Sequence, residues 1–406
     1  MSLRRPLLLA STVVLLLATS ACSAATSDAK APPGKSDDGH GAVAGAVEAA
    51  EPPLQLVSID ESGAAGVLDL LDGETTMLGE IGAPHETATD GRYVFATTDA
   101  GIEVIDSGVW TWDHVDHFHY YRGTPTIVGT VKGKGPVTVA TGMLSTAGGT
   151  VLRFDGSSEV VLIDNDALSK GEIEETFRLD TGSTSGIAAP VGSGAIVSDG
   201  DTLRFYEADG TATDVGAPCI DPVGTITTRV GLAIGCADGA VIATADDGQP
   251  EFERAPYPEG VEAERATAFD GRKGRPTVAA IAGNTGFWLL DTREASWKLV
   301  ETDAALVRVT AVDDEEGHVI ALDEGGRVLV YQAESGEQIS ATEPLLSEAF
   351  EREQFATVTL VVDGQRAYLN APVDGVVHEI AYADGARIAR TLETPTHPVH
   401  MAEVGR

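Results

Sequence analysis

Short apolar runs recur along the chain, each opened by Gly or Asp and closed near Asp or Glu. These runs begin at eight positions: Gly66, Gly101, Gly149, Asp201, Gly239, Gly286, Gly326 and Gly375. Neighbouring positions lie 35 to 52 residues apart, and each run follows another apolar run and a tight turn, as in residues 231–239. The run, the strand before it and a further strand after it make three, and an innermost strand completes a unit of four. Four-stranded units of about 40 to 50 residues are typical of β-propeller blades.

The two ends of this repeat predict how the sheets close into a ring. The first unit, residues 54–82, shows three strands and lacks an innermost one, while residues 396–404 trail the last complete unit. If the C-terminal segment supplies the missing strand, the ring has no free edge. We therefore predict an all-β fold over residues 54–406, a single β-propeller of eight blades closed by the C-terminal strand. Seven blades is the alternative if two irregular units merge.

The N-terminus predicts export from the cytoplasm. Arg4 and Arg5 precede an apolar run at 6–18, which is too short to span a bilayer, and small residues then lead to Cys22. We interpret residues 1–22 as a signal peptide with a lipobox-like end and Cys22 as the lipidated residue, although Thr19 stands where such boxes usually carry Leu. Plain secretion is the alternative. Residues 23–53, rich in Ala, Gly, Ser, Asp and Pro, are predicted to be a disordered tether.

Charge and location together restrict the partners. The formal net charge of −36 argues against nucleic acid and anionic surfaces, because binding to either requires a basic footprint. We expect an extracytoplasmic monomer that touches the membrane only through its lipid anchor. It would lie at the cell surface, or in the periplasm if an outer membrane is present.

Cys219 and Cys236 lie seventeen residues apart in an apolar stretch. An exported protein meets an oxidising environment in which such a pair normally oxidises, so we predict one disulfide. Two thiolate zinc ligands are the rival interpretation. It is weaker because neither cysteine belongs to a Cys-x-x-Cys pair and no histidine lies nearby.

The strongest chemical signal lies at residues 113–121, which read Asp-His-Val-Asp-His-Phe-His-Tyr-Tyr. Neutral imidazole is a common zinc ligand, and residues two apart on a strand project from one face, so His117 and His119 can close on one ion. His114 and Asp116 are candidates to add to the ligand set or to orient it. The segment predicts a zinc site, with a solvated polar loop as the alternative.

Propeller topology brings three other histidines together. His85 precedes the predicted inner strand of the second blade, and His397 and His400 open that of the first, so all three are expected at one end of the channel. The loop at 113–121 is expected at the opposite face of the sheets, although an insertion of this length can fold back over the channel. One composite site and two separate sites are therefore both possible. His318 and His378 are interpreted as structural, since lone histidines in sheets usually just form hydrogen bonds.

The sequence also resembles the AztD-type zinc metallochaperones. The resemblance rests on residues 91–96, 104–110, 113–121, 235–239 and 378–385 and covers the chain from about Leu54 to its end. It implies an exported β-propeller that binds Zn(II) and hands it to the substrate-binding protein of a zinc ABC importer. It also implies His117 and His119 as zinc ligands, with His85 in the matching position before a strand. The turn at 219–224 departs from the family because it contains no histidine.

Two other classes of function remain as alternatives. A propeller enzyme, either a metal-dependent lactonase or a quinone-dependent dehydrogenase, would use the same channel, and a protein-interaction propeller would need no metal. The four tryptophans do not recur once per blade, and no Ser/His/Asp arrangement stands at a recognisable elbow. We therefore predict a zinc carrier rather than an enzyme.

Overall fold

The computed structural model describes residues 41–113, 117–245, 248–346 and 355–406. Within these ranges the chain forms 34 strands and one short helix, α1 (Asn165–Ser169). The side chain of Asp164 caps the start of α1 by accepting hydrogen bonds from the backbone N–H groups of Asp166 and Ala167. In this part of the chain no helix has the length and apolar character needed to cross a membrane.

The strands follow one another along the whole described chain. Strands β1 to β10 span Val47–Ala49, Gln55–Ile59, Ala64–Asp69, Thr75–Glu80, Glu86–Thr89, Tyr93–Thr98, Gly101–Asp106, Val109–Asp113, Phe118–Arg122 and Thr126–Val131. Strands β11 to β22 span Val137–Thr141, Gly149–Phe154, Glu159–Asp164, Glu175–Asp180, Ala188–Val191, Gly194–Asp199, Thr202–Tyr206, Ala212–Pro218, Val223–Thr227, Leu232–Cys236, Gly239–Thr244 and Glu251–Pro256. Strands β23 to β34 span Thr277–Ile281, Gly286–Asp291, Ser296–Glu301, Leu306–Ala311, His318–Asp323, Val328–Gln332, Gln338–Ala341, Leu360–Val362, Ala367–Ala371, Val376–Ala381, Arg387–Glu393 and His400–Val404.

Within the described ranges these strands form seven four-stranded and two three-stranded sheets, all antiparallel. The four-stranded sheets have the orders β34-β2-β3-β4, β10-β7-β6-β5, β11-β12-β13-β14, β15-β16-β17-β18, β19-β20-β21-β22, β26-β27-β28-β29 and β30-β31-β32-β33. The three-stranded sheets are β23-β24-β25 and β1-β9-β8. The predicted all-β class is confirmed, and the succession of four-stranded sheets is consistent with a propeller.

The burial of each strand follows its position in a sheet. The second strands β2, β6 and β20 are buried along their whole length, whereas the outer strand β4 is largely exposed. Strands covered on both faces read as continuous apolar runs, which is why the repeat in the sequence is recognisable. Between neighbouring sheets, Val151, Ile196 and Ile234 belong to one apolar cluster and are fully buried. The core therefore lies between the sheets.

The sheet β23-β24-β25 is irregular on its inner side. Where a first strand would lie, Asp270 forms an isolated antiparallel bridge to Ala279, with two backbone hydrogen bonds of 2.9 and 2.8 Å. Its neighbour Gly271 forms a parallel bridge to Ala311, the last residue of β26. An irregular segment thus takes the place of a strand and connects this sheet to the next.

The C-terminal strand pairs with the first sheet, as the repeat predicts. Strand β34 runs antiparallel to β2 with Ser58 opposite Met401, and the Ser58 and Thr396 hydroxyls lie 2.8 Å apart. Beyond its end, the backbone N–H of Gly405 donates to the carbonyl of Gly91, which follows β5. The ends of β34 and β5 therefore lie side by side.

One predicted boundary differs from the structure. The sequence predicts that Val47–Ala49 belong to the disordered tether, but these residues form β1 and pair with β9. The pairing places Val47 opposite Arg122, Glu48 opposite Tyr121 and Ala49 opposite Tyr120. Nothing in the composition of this segment indicates a strand, because the partner that orders it lies about 70 residues away. Cys22 lies outside the described residues.

The predicted disulfide is confirmed. Cys219 and Cys236 are bonded, and both are almost completely buried. Cys219 follows β18, the outer strand of one sheet, and Cys236 ends β20 in the next. The bond therefore connects two neighbouring sheets, and neither cysteine is available as a thiolate zinc ligand.

Replacing both cysteines with alanine is expected to lower the free energy of unfolding by about 3 kcal/mol, because the cross-link no longer restricts the unfolded chain. Denaturant unfolding of the oxidised wild type and the double variant measures this difference. As a control, reductant should destabilise the wild type and leave the variant unchanged. Equal unfolding midpoints of the oxidised wild type and the double variant would contradict this role for the bond.

Candidate metal centre

The segment richest in histidine lies on a hairpin inserted into one sheet. Strands β8 and β9 interrupt the sheet β10-β7-β6-β5 between its third strand, β7, and its fourth, β10. Trp112 lies opposite His119 and Asp113 opposite Phe118. Since β1 adds to the free edge of β9, the hairpin becomes a small three-stranded sheet of its own.

A buried tryptophan anchors the base of this hairpin. Trp110 is only 2% exposed, its ring stacks on Tyr121 with centroids 5.3 Å apart, and its indole Nε1–H donates to the carbonyl of Gly41 at 2.9 Å. The Arg92 guanidinium lies 3.9 Å from the centre of the Trp110 ring and pairs with Asp106 at 2.7 Å. A cation on a tryptophan face, away from water, is a favourable contact.

The chain before β1 packs against the next tryptophan of the hairpin. Gly41 has φ of +70°, and a Cβ added there would lie 2.4 Å from Cε3 of the Trp112 ring. Only glycine fits this close approach without displacement. The segment from Gly41 to Ala49 therefore covers one side of the hairpin along Trp110 and Trp112.

His117 and His119 lie together at the tip of the hairpin. Their Nε2 atoms are 3.0 Å apart, and their ring centroids are 4.8 Å apart. Two nitrogens bound to one tetrahedral zinc, each about 2.0–2.1 Å from it, lie about 3.3 Å from each other. A small rotation of either ring therefore brings both nitrogens to ligand distance. This is the sequence-predicted pair, and the structure brings it together.

A carboxylate that sequence reasoning missed orients one of these rings. Nδ1 of His119 lies 2.7 Å from Oε1 of Glu48 on β1. Donation of the Nδ1–H to this carboxylate places the proton on Nδ1, so that the Nε2 lone pair of His119 faces His117. Metal-binding histidines commonly make this second hydrogen bond to a carboxylate, which fixes the ring and raises its basicity.

Contacts at the other strand of the hairpin show which end of the sheets it covers. The Thr111 hydroxyl donates to the carbonyl of Gly405 at 2.9 Å, just beyond the end of β34. Asp113 forms an ion pair with Arg229, which follows the end of β19 in a distant sheet. The hairpin therefore reaches across the ends of two inner strands that belong to different sheets.

His85 and His400 lie at the opposite ends of the inner strands. His85 precedes β5, is largely exposed, and its Nε2 lies 2.9 Å from Oδ1 of Asp99. His400 begins β34 and is 5% exposed. Burial lowers the pKa of His400, the nearby charge of His85 lowers it further, and a hydrogen bond with the backbone of Pro84 acts in the other direction. These two imidazoles are neighbours, as the topology predicts.

The remaining predicted ligands have different surroundings. Nε2 of His397 makes a short contact with the carbonyl of Pro372, and its ring lies against Gly375. His114 and Asp116 lie outside the described residues. Of the predicted ligands that the structure describes, His85 and His400 lie at the starts of β5 and β34, whereas His117 and His119 lie at the hairpin, which covers the ends of β34 and β19.

No known protein family matches this chain, and no curated protein matches it in sequence. Solved structures do match. The crystal structure of AztD from Citrobacter koseri superposes with a TM-score of 0.72 at 19% identity, covering 88% of this chain and 98% of that one, and its apo structure gives the same figures. The dihydro-heme d1 dehydrogenase NirN gives 0.54 at 14% identity, covering 88% of this chain and 76% of that one. At such identities the likeness shows the fold alone.

Replacing Glu48 with Gln is expected to weaken zinc binding at least about tenfold, because a neutral amide no longer supports the basicity of the His119 ring. Competition with a chromophoric chelator measures the affinity. Glu51→Gln is the matched control, since it removes the same charge from the same exposed segment. Equal affinities of the two variants would show that Glu48 does not act through His119.

Proposed function

We propose that this chain is a zinc carrier that passes Zn(II) to the substrate-binding protein of a zinc ABC importer. The observation that carries the proposal is the pair of Nε2 atoms of His117 and His119, 3.0 Å apart, with Glu48 behind His119. Zinc is the cargo here, so a binding site that can open is more useful than a closed structural site. A hairpin inserted at the surface fits that requirement.

Both sequence and fold support this choice. The motif at 113–121 resembles the AztD-type zinc metallochaperones, and the chain shares its fold with AztD from Citrobacter koseri over 88% of its length. In this proposal the sheets form an eight-bladed propeller closed by the pairing of β34 with β2, because eight sheets other than β1-β9-β8 follow one another in the described ranges. The likeness to the dehydrogenase NirN extends only to the fold and favours no reaction.

The ligand assignment follows from position. His117 and His119 hold the ion, and His114 and Asp116, from the same loop, complete the ligand set. His85, His397 and His400 are assigned to a separate group at the starts of the inner strands. Because burial lowers the pKa of His400, its imidazole stays neutral at neutral pH, as a metal ligand requires.

The surroundings suit a carrier outside the cytoplasm. A net charge of −36 raises the local concentration of cations, which speeds their capture. We assign the protein to the outer face of the cytoplasmic membrane, held as a monomer by a lipid on Cys22 and a tether of residues from 23 onward. Such a tether keeps the carrier near an importer while leaving it free to turn.

Replacing His117 and His119 together with Ala is expected to abolish the tightest zinc binding and to leave the fold intact, since both side chains lie at the tip of the hairpin. Isothermal titration with zinc measures the loss. In the wild type, magnesium and calcium should not compete, because the ligands are nitrogens rather than an oxygen cage. Unchanged affinity in the double variant would disprove the assignment of the site.

Transfer to the acceptor is tested separately from binding. Zinc-loaded protein is mixed with the apo substrate-binding protein of a zinc importer in the presence of a chelator that traps free ion faster than zinc dissociates. If the two proteins exchange ligands directly, the acceptor fills while the chelator stays empty. If the chelator intercepts all the zinc, the protein stores zinc but does not deliver it.

A further inference from the structure

A second group of metal-binding side chains lies in the turn between β26 and β27. Residues 313–316 are four consecutive carboxylates, and Gly317 and His318 follow them. The sequence alone predicts a structural role for His318. In the structure, one ligand atom from each of Asp314, Glu316 and His318 lies within 4.8 Å of the others.

The turn holds two of these ligands in fixed positions. Oδ2 of Asp314 lies 2.6 Å from Nδ1 of His318, and Oδ1 accepts the backbone N–H of His318 at 2.8 Å. The Gly317 N–H closes the turn on the Asp314 carbonyl at 3.1 Å. His318 is buried against the Tyr382 ring, with centroids 5.3 Å apart, and only 7% of its side chain is exposed.

The third ligand comes from the solvent side. Glu316 is exposed, so its carboxylate can move towards the other two without disturbing the core. A divalent cation placed between two carboxylates offsets the repulsion between their negative charges.

The donor set indicates the class of ion. One imidazole nitrogen and two carboxylate oxygens suit first-row divalent ions such as zinc. Three protein ligands leave at least one position open, which is typical of exchangeable sites rather than closed structural ones. All three ligands come from five consecutive residues, so the site needs no rearrangement of the sheets.

The turn lies at the same end of the molecule as the hairpin. The carbonyl of Ala311, at the end of β26, accepts a hydrogen bond from the backbone N–H of Arg272. Lys273 follows Arg272 in the chain, and its ammonium group contacts the carbonyl of Asp90, just beyond β5. Gly91, the residue after Asp90, pairs with Gly405, which also receives the hydrogen bond from the hairpin. A second ion would therefore be held on the face that carries the first.

We propose that Asp314, Glu316 and His318 form a second, open zinc site, weaker than the hairpin site and independent of it. The exposed ligand Glu316 is the last to bind the ion and the first to release it. The Asp314 and His318 contact is the preformed half of the site, and the proton shared between Oδ2 and Nδ1 is released to solvent when the ion binds both atoms. The second site contains neither His117 nor His119, so it can be tested independently of the proposed carrier function.

The test uses the His117→Ala, His119→Ala protein, in which the hairpin site is removed, with zinc alone as the probe. Isothermal titration should show about one residual weak equivalent, and anomalous diffraction at the zinc edge should place it beside His318. Adding Glu316→Gln should remove this equivalent. Adding Glu315→Gln, which deletes the same charge from the neighbouring exposed position, should leave it in place.

Two results would overturn the second site. The first is that the hairpin double variant binds no zinc at all. The second is that Glu316→Gln and Glu315→Gln have equal effects, which would leave the Asp314 and His318 contact as an ion pair that stabilises the turn. In the wild-type background, the Glu316→Gln variant keeps only the hairpin site. If this variant binds no zinc, the carrier proposal fails, and this result is distinct from loss of the second site.

Discussion

The antiparallel pairing of β34 with β2 is the contact on which the rest of the structure depends. Beside this pairing, the hydroxyls of Ser58 and Thr396, which are 338 positions apart in the chain, lie within hydrogen-bond distance of each other. Without the pairing, both strands would present unpaired backbone groups at an open edge. The pairing also sets the position of Gly405, where the hairpin makes its hydrogen bond through Thr111. Contacts of such long range cost more chain entropy to form, so this step is expected late in folding.

The hairpin centre is assembled from segments that lie far apart in the sequence. β9 supplies His119, β1 supplies Glu48, and Arg229 in a distant sheet fixes Asp113 at the end of β8. The buried Trp110 and the Arg92 guanidinium on its ring hold the base of the hairpin.

The amount that could be predicted from sequence differs between the fold and the site. Strands buried on both faces are visible as apolar runs, and the disulfide and the histidine pair follow from residue type and local spacing. Glu48 could not be predicted, since it is one of 63 acidic residues and becomes significant only when β1 pairs with β9. The same holds for Arg229, whose partner Asp113 lies 116 positions away. His318 is buried and hydrogen-bonded to Asp314, as the sequence predicts for a structural histidine.

Two of the four tryptophans lie on the hairpin and two lie in another sheet, and this division gives the molecule a built-in optical reference. Trp112 lies opposite His119 and against Gly41, so an ion bound as proposed at the hairpin would change the polarity around its indole. Trp288 and Trp297 lie together in another sheet, with centroids 5.8 Å apart, and are shielded from such a change. Emission from the hairpin can thus be followed against a constant background from the same chain, without attaching a dye.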